Sequence, residues 1–347
     1  MRKFKIIFSL IVGSVLFFSC GTKEEKTETV QTTSKKDSLL EKINSPELKE
    51  VNVKLLEDPN NAELYNKRAR IYISYKYFDE AIGDALRAMK LDSTKAEYYI
   101  TCADVYFATN KTRYSKDMLE AAVKKFPNNT EALLKMAELL YLVRQYEKSI
   151  EYINKALKID ENLAKAYFLK GSVYKESGDT AKAISSISTA VEQDNKYFDA
   201  FFDLGLIYAA RKNPLAMEYY NNALNIKPNN EAVLYARAKL LQDLNKTDES
   251  IAAYENILKI NKSNEDVLYN LGALNLYKKK DTKKAIDYFS QAINANPKNT
   301  EAFYARGVCY MAMKDYNNAK ADMQMCLQIT KNYEPAIEAL NDMEKRK

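Results

Sequence analysis

The side chains that could do chemistry in this sequence are carboxylates, tyrosines and four cysteines, because histidine is absent. Without an imidazole the chain lacks the commonest general base and metal ligand, and every Ser-His or Cys-His nucleophile arrangement. It has no phosphate-cradling glycine loop, dinucleotide fingerprint or CxxC pair. The 47 acidic residues are spread along segments that read as helical, where carboxylates solvate exposed faces. The sequence therefore reads as a non-enzyme that uses no cofactor and no metal. Removing Arg2, Lys3 and Lys5, which lie in a segment expected to be cleaved, leaves 50 of the 53 basic residues against 47 acidic ones. A nucleic-acid binder clusters its basic residues on one face. Here they are dispersed, which argues against nucleic acid as a partner.

Binding chemistry remains, and a period sets the elements that must position it. Small residues recur about every 34 positions in two interleaved series. The first is Ala69, Ala103, Ala137, Gly171, Gly205, Ala238, Gly272 and Gly307; the second is Ala81, Ser115, Ser149, Ala183, Ala216, Ser250, Ala285 and Ala319. The series stand 12 residues apart, except for 11 at Gly205–Ala216 and 13 at Gly272–Ala285. Both irregularities are expected in turns, around Pro214 and Lys278–Lys280. A period this long signals stacked supersecondary units, each packing only on its neighbours. With 8 Gly and 7 Pro in the whole chain, those units should be helical.

Residues 164–197 show the unit. A first helix carries Tyr167, Phe168, Val173 and Tyr174 at helical spacing, Gly178-Asp179 breaks it, and Asp179 or Thr180 can cap a second helix bearing Ile184, Ile187, Ala190 and Val191. Gly171 and Ala183 are small so that the two helices can cross closely. The Ala190 slot, filled by alanine in most units and by Ile257 in the sixth, should meet the following unit, with a looser contact at Ile257. Turns between units carry Pro127-Asn128-Asn129, Pro228-Asn229-Asn230 and Pro297-Lys298-Asn299, where proline cannot continue a helix.

A large residue four before each member of the first series (Tyr65, Tyr99, Leu133, Tyr167, Phe201, Leu234, Leu268, Phe303) completes a pattern that resembles the tetratricopeptide repeat family. An aromatic or apolar residue follows three after most members, with Asn275 departing. The resemblance implies an all-α, right-handed superhelical solenoid. Its eight repeats would be 62–95, 96–129, 130–163, 164–197, 198–230, 231–264, 265–299 and 300–333. Residues 46–61 and 334–347 would form capping helices, with Ile337 and Leu340 covering the last repeat. The resemblance also places the first helix of each pair on a concave surface, with the position after the large packing residue pointing into it. That position reads Asn66, Ile100, Leu134, Phe168, Phe202, Tyr235, Tyr269 and Tyr304. Its last five members form an aromatic ladder, the candidate site for a protein or peptide partner. Some relatives clamp a peptide carboxylate with Lys, Arg and Asn; Asn66, Lys67, Arg70 and Lys135 match part of such a set, but Thr101 and Glu131 break it. Cys102, Cys309 and Cys326 fall at small or apolar packing slots, with a Cys309–Cys326 bridge open as an alternative.

Residues 1–19 have a basic start and an apolar run from Ile6 to Phe18, too short to span a bilayer. Ser19 before Cys20 resembles the cleavage box of bacterial lipoprotein signals, which implies acylation of Cys20 and a membrane lipid anchor. Lys23-Glu24-Glu25 resembles the surface-export signal of Bacteroidota lipoproteins; surface and periplasmic display both remain open. Residues 20–45 are polar and read as a flexible tether reaching about 25–30 Å. The expectation is an outer-membrane lipoprotein scaffold. A carbohydrate- or cell-wall-binding module is the alternative, disfavoured by the absence of tryptophan.

Overall fold

The computed structural model describes residues 45–345. The expected leader, Cys20 and the tether up to residue 44 lie outside them. All regular structure among the described residues is helical: 18 α-helices and one π-helical turn, without a strand. The described chain forms two compact units divided between Met118 and Leu119.

The first unit holds α1 (Pro46–Glu57), α2 (Ala62–Ser74), α3 (Phe78–Leu91), α4 (Ala96–Ala108) and the start of α5 (Thr112–Lys125). Ser45 caps α1, accepting a hydrogen bond from the Leu48 amide. Leu48, Val51 and Leu55 of α1 are buried with Ile71, Tyr72 and Val105. Arg68 donates to both carboxylate oxygens of Asp84 on α3 and, at 2.7 Å, to Asn52 on α1. One guanidinium thus ties three successive helices, a geometry suited to its planar fork.

The second unit continues with α6 (Thr130–Leu142), α7 (Tyr146–Ile159), α8 (Ala164–Glu176), α9 (Thr180–Gln193), α10 (Phe198–Ala210) and α11 (Ala216–Ile226). Then come α12 (Glu231–Asp243), α13 (Thr247–Ile260), α14 (Glu265–Leu274) with a π turn at Asn275–Lys279, and α15 (Thr282–Ala295). α16 (Thr300–Ala312), α17 (Tyr316–Ile329) and α18 (Glu334–Lys345) complete it. Within the first unit from α1 to α4, and within the second from α6 onward, helices pack in chain order as consecutive pairs, which is the solenoid arrangement.

The small series are the crossings of these pairs. Ala69, Ala137, Ala238, Ala81, Ala183, Ala216, Ala285 and Ala319 are all fully buried. Ser149 donates to the Ala137 carbonyl at 2.8 Å and Ser250 to the Ala238 carbonyl at 2.9 Å. At these two crossings the serine of the second series binds the backbone of its partner in the first, which is possible only where the helices touch. Ile257 is also fully buried, among Tyr254, Val267 and Leu271. The larger side chain is thus accommodated inside the junction with the seventh repeat, where a looser or shifted contact was expected, and it leaves no exposed surface.

Each turn between paired helices holds one left-handed residue, and seven of the eight close with the same bond. A residue in the left-handed conformation follows the first helix: Lys76, Asn110, Arg144, Gly178, Lys212, Asn245, Lys280 and Lys314. The next amide then donates back five residues to the carbonyl of Tyr72, Tyr106, Leu140, Tyr174, Tyr208, Leu241 or Tyr310, the bond of a Schellman cap. Only one of the eight positions is glycine, so the sequence gives little warning of this backbone geometry. The asparagines ending the inter-repeat turns act as helix N-caps. Asn61, Asn129, Asn230, Asn264 and Asn299 each accept a hydrogen bond from the third amide beyond them.

The irregular spacings resolve differently. The missing residue of the fifth pair is lost from the first turn of its second helix, where Pro214 precedes α11. The extra residue of the seventh pair is taken up inside the first helix as the π turn, and the closing bond lengthens to six residues, from the Asp281 amide to the Asn275 carbonyl at 2.9 Å. At the C-terminus, Ala336, Ala339 and Met343 rather than Ile337 cover the last pair; Leu340 packs partly, while Ile337 is exposed.

Candidate functional site

The first helices of the second unit present the aromatic ladder. Phe168 (α8), Phe202 (α10), Tyr235 (α12), Tyr269 (α14) and Tyr304 (α16) are each half-buried. Each ring leans on another aromatic. Phe168 lies 5.0 Å from Tyr197, Phe202 lies 6.2 Å from both Phe198 and Tyr220, Tyr235 lies 5.7 Å from Tyr254, Tyr269 lies 5.5 Å from Phe289, and Tyr304 lies 5.7 Å from Tyr333. Such pairs fix the ring orientation. Each side chain is therefore partly taken into the packing and partly exposed. Tyr235 also accepts a hydrogen bond from Asn270 Nδ2 at 2.9 Å, joining α12 to α14.

The same register behaves otherwise in the first three repeats. Asn66, Ile100 and Leu134 are buried, so the expectation that this position points outward fails there. The side chains proposed for a carboxylate clamp are also engaged: Lys67 pairs with Glu47 at 3.3 Å, and Arg70 donates weakly to Thr101 at 3.4 Å. Lys135 lies 4.0 Å from Glu138 on its own helix.

Further apolar groups accompany the ladder. Leu206, one turn beyond Phe202, and Tyr277, within the π turn, are exposed. Carboxylates punctuate these helices: Asp199 and Asp203 on α10, Asp266 on α14, and Glu301 on α16. Their field is felt by nearby tyrosines, whose anions burial already disfavours. Tyr197 is pushed up to about 12 by burial, with Asp199, Glu138 and Asp194 adding to the effect. Tyr235 is raised by burial and by Asp266, against the hydrogen bond from Asn270. Tyr304 is raised by burial, then by Tyr277 and Glu338. All of these hydroxyls stay protonated at neutral pH and can donate or accept.

Between α16 and α18 lies a cleft of about 430 Å³ lined by Tyr304, Val308, Met311, Glu338, Asp342 and Met343 among others. The sequence does not announce it, because it depends on where the last helix settles. Among the described residues, no group of His, Cys, Asp and Glu could hold a metal ion, and no helix is long and apolar enough to cross a membrane. Cys102, Cys309 and Cys326 are buried free thiols, so the Cys309–Cys326 bridge is not formed.

Family models described as tetratricopeptide repeat match residues 103–164, 164–197, 235–299 and 276–340, together more than half of the chain. The chain belongs to the tetratricopeptide repeat family. Proteins of this family bind protein or peptide partners. Among curated proteins, the human mitochondrial import receptor subunit TOM70 is 27% identical over 178 residues, which is 49% of this chain and 29% of the receptor. The mouse DnaJ homolog subfamily C member 7 is 23% identical over 305 residues, covering 80% of this chain and 62% of that protein. The chain thus spans less than a third of TOM70 and somewhat under two thirds of the DnaJ homologue. Among solved structures, the C-terminal part of a tetratricopeptide repeat protein from Cytophaga hutchinsonii is 18% identical with a TM-score of 0.62, covering 71% of this chain and 99% of that one. That likeness speaks to the fold. Within the tetratricopeptide frame, the second unit pairs every ladder ring with an aromatic partner, so the ladder is both a structural and a surface feature.

Proposed function

We propose that this tetratricopeptide protein is a lipid-anchored scaffold of the bacterial cell envelope, tethered through Cys20 and holding protein or peptide partners along the first helices of its second unit. The observation that carries the reading is the ladder, five half-buried rings held in fixed orientations by aromatic neighbours. Pre-oriented aromatics offer contact area with little rotamer entropy left to lose on binding. A partner segment laid across α8 to α16 would bury the surface these side chains leave exposed, and the tyrosine hydroxyls would select its polar groups. No step of this requires covalent chemistry, consistent with the absence of histidine.

Pull-down from native cells with wild type and with Phe202→Ala/Tyr269→Ala tests the surface: partner recovery should fall while circular dichroism is retained. Equal recovery by a folded double variant would sink the ladder as the binding surface. Metabolic palmitate labelling tests the anchor, and should be abolished by Cys20→Ser.

A further inference from the structure

The cleft between α16 and α18 has a chemistry of its own. Its floor is apolar, formed by Val308 and Met311 on one helix and Met343 on the other. Glu338 and Asp342, one helical turn apart on α18, line one side, and the rings of Tyr304 and Tyr316 line the other. No lysine or arginine lines the cleft. Asp342 pairs at 3.9 Å with Lys345 of its own helix, both exposed, while Glu338 has no ion pair among the described residues. An apolar floor beneath a carboxylate rim, faced by two aromatic rings, suits a long aliphatic stem ending in a cation.

Three of the first helices leading to the cleft share this polarity, whereas α8 carries Lys165, Lys170 and Lys175 and α12 carries Arg237 and Lys239. α10, α14 and α16 carry Asp199, Asp203, Glu265, Asp266 and Glu301, and their single basic residue is Arg306. Arg306 is not available to a ligand: it forms two hydrogen bonds to Asp322, at 2.9 and 2.8 Å, and one to Ser290 at 3.0 Å. Asp203 is answered by Lys175 of α8. α10, α14 and α16 are thus apolar and acidic, and the other basic residues of the ladder helices lie on α8 and α12. Burial raises the Tyr304 hydroxyl, and Tyr277 and then Glu338 add to the effect.

We infer that this cleft is a specificity pocket for a lysine or arginine side chain of the bound partner, and that the partner segment is basic with apolar flanks. The inference rests on the proposed partner-binding role of the ladder and names the chemistry of its occupant. Tyr304 belongs to both sites, so a segment running along the ladder would deliver a side chain directly into the cleft. Rim carboxylates reject acidic segments by like-charge repulsion and speed the encounter with basic ones.

The test uses the chain from Cys20 to Lys347. A random twelve-residue peptide display library is selected on it, and the strongest binder is remade with lysine, norleucine or glutamate at its most enriched basic position. Enrichment of Lys or Arg between apolar residues is expected. The norleucine and glutamate peptides should bind on the order of tenfold and a hundredfold more weakly. Glu338→Gln/Asp342→Asn, isosteric changes at two exposed positions, should weaken the lysine peptide about tenfold, leave the norleucine peptide unchanged and flatten the salt dependence. Binders that are sensitive to Phe202→Ala/Tyr269→Ala but lack basic enrichment, or ignore the carboxamide variant, overturn the pocket and leave the ladder intact. Failure to recover ladder-sensitive binders overturns both readings. Two other occupants would also displace the inference. One is a synthetic peptide of residues 22–44 of this chain outcompeting the selected binders. The other is self-association of the chain, abolished by the carboxamide variant.

Discussion

Gly272 and Gly83 are both glycines inside helices, yet replacing each by alanine should move stability in opposite directions. Alanine is favoured over glycine in a helix interior by about 1 kcal/mol, whatever surrounds it. At Gly83, on the exposed side of α3, an added methyl would meet nothing within 4 Å. Gly83→Ala should therefore stabilise by about 1 kcal/mol. At Gly272 the methyl would stand 2.6, 2.7 and 2.9 Å from three carbons of the Phe289 ring. That ring is fully buried, boxed by Ala285, Ala305 and Cys309 and covered by Tyr269. It cannot swing aside like the end of a flexible chain, so overpacking should cost about 1–3 kcal/mol.

Gly272→Ala should then fall between neutrality and about 2 kcal/mol of destabilisation, and the gap between the two variants isolates the steric term of about 1–3 kcal/mol. Urea unfolding followed by circular dichroism measures it, with amide exchange of α14 and α15 as a local readout, because repeat arrays need not unfold in one step. Displacing Phe289 would also move Tyr269, so the loss should reach the ladder. If Gly272→Ala raises the urea midpoint as much as Gly83→Ala does, close crossing is not what keeps that position small, and the account of the 34-residue series fails with it.

Two further perturbations follow from buried groups. Removing the Arg306 guanidinium leaves Asp322, 4% exposed, without its bidentate partner, so Arg306→Leu should destabilise by about 3 kcal/mol and adding Asp322→Leu should recover most of it; chemical denaturation of the three variants decides, and no recovery would refute the desolvation argument. Burial pushes Tyr197, Tyr220 and Tyr288 up to about 12 from an ordinary 10.0, and Cys102 and Cys326 to about 12 from 9.0. Because the folded state holds these protons more tightly, the stability they contribute is complete below pH 9 and is lost as pH rises through about 12. Tyr220→Phe removes one such group and should shift the alkaline unfolding midpoint upward in a pH titration of helicity; an unchanged midpoint would mean that the buried phenol does not govern the transition.

What can be read from the sequence is whatever repeats on residue type. Gly171 opposite Ala183, Ala190 towards the next pair and Asp179 as a cap announce themselves because close helix crossings and helix starts admit few side chains. The ladder is legible by register, but its half-buried state is not, since Tyr197 and Tyr333 lie in inter-repeat turns and meet Phe168 and Tyr304 only in three dimensions. Likewise Ile100 and Leu134 hold the ladder register yet are buried, a difference of packing that spacing cannot express. The Arg68–Asp84 and Arg306–Asp322 ties do carry a signal, a basic residue 16 positions before an aspartate in the first and eighth repeats. It is hard to see because the intervening repeats fill those slots with other residues. The left-handed turn residues escape for the opposite reason: lysine, asparagine and arginine stand where glycine would have marked the conformation.

The two departures from the 34-residue period show where such a fold tolerates a change of length, and why that bears on binding. Ala216 and Ala285 remain fully buried despite spacings of 11 and 13 from their partner glycines. Register is therefore held by the crossings, and the slack is taken at helix ends that face the turn. In the fifth pair the second helix starts with three-residue bonds, Ala216 to Asn213 at 3.1 Å and Met217 to Pro214 at 2.9 Å, which tighten its first turn. In the seventh pair the slack is an insertion, and Asn275 at its head is buried, its Nδ2 donating to the Leu271 carbonyl at 2.8 Å. An asparagine is suited to this place because its side chain adds a donor to the carbonyls where the regular ladder is interrupted. Downstream of it the widened turn leaves Tyr277 57% exposed, near enough to Tyr304 to raise its pKa. An extra residue that the core does not register thus sets a further exposed ring within electrostatic reach of Tyr304, the ladder member that also lines the cleft between α16 and α18.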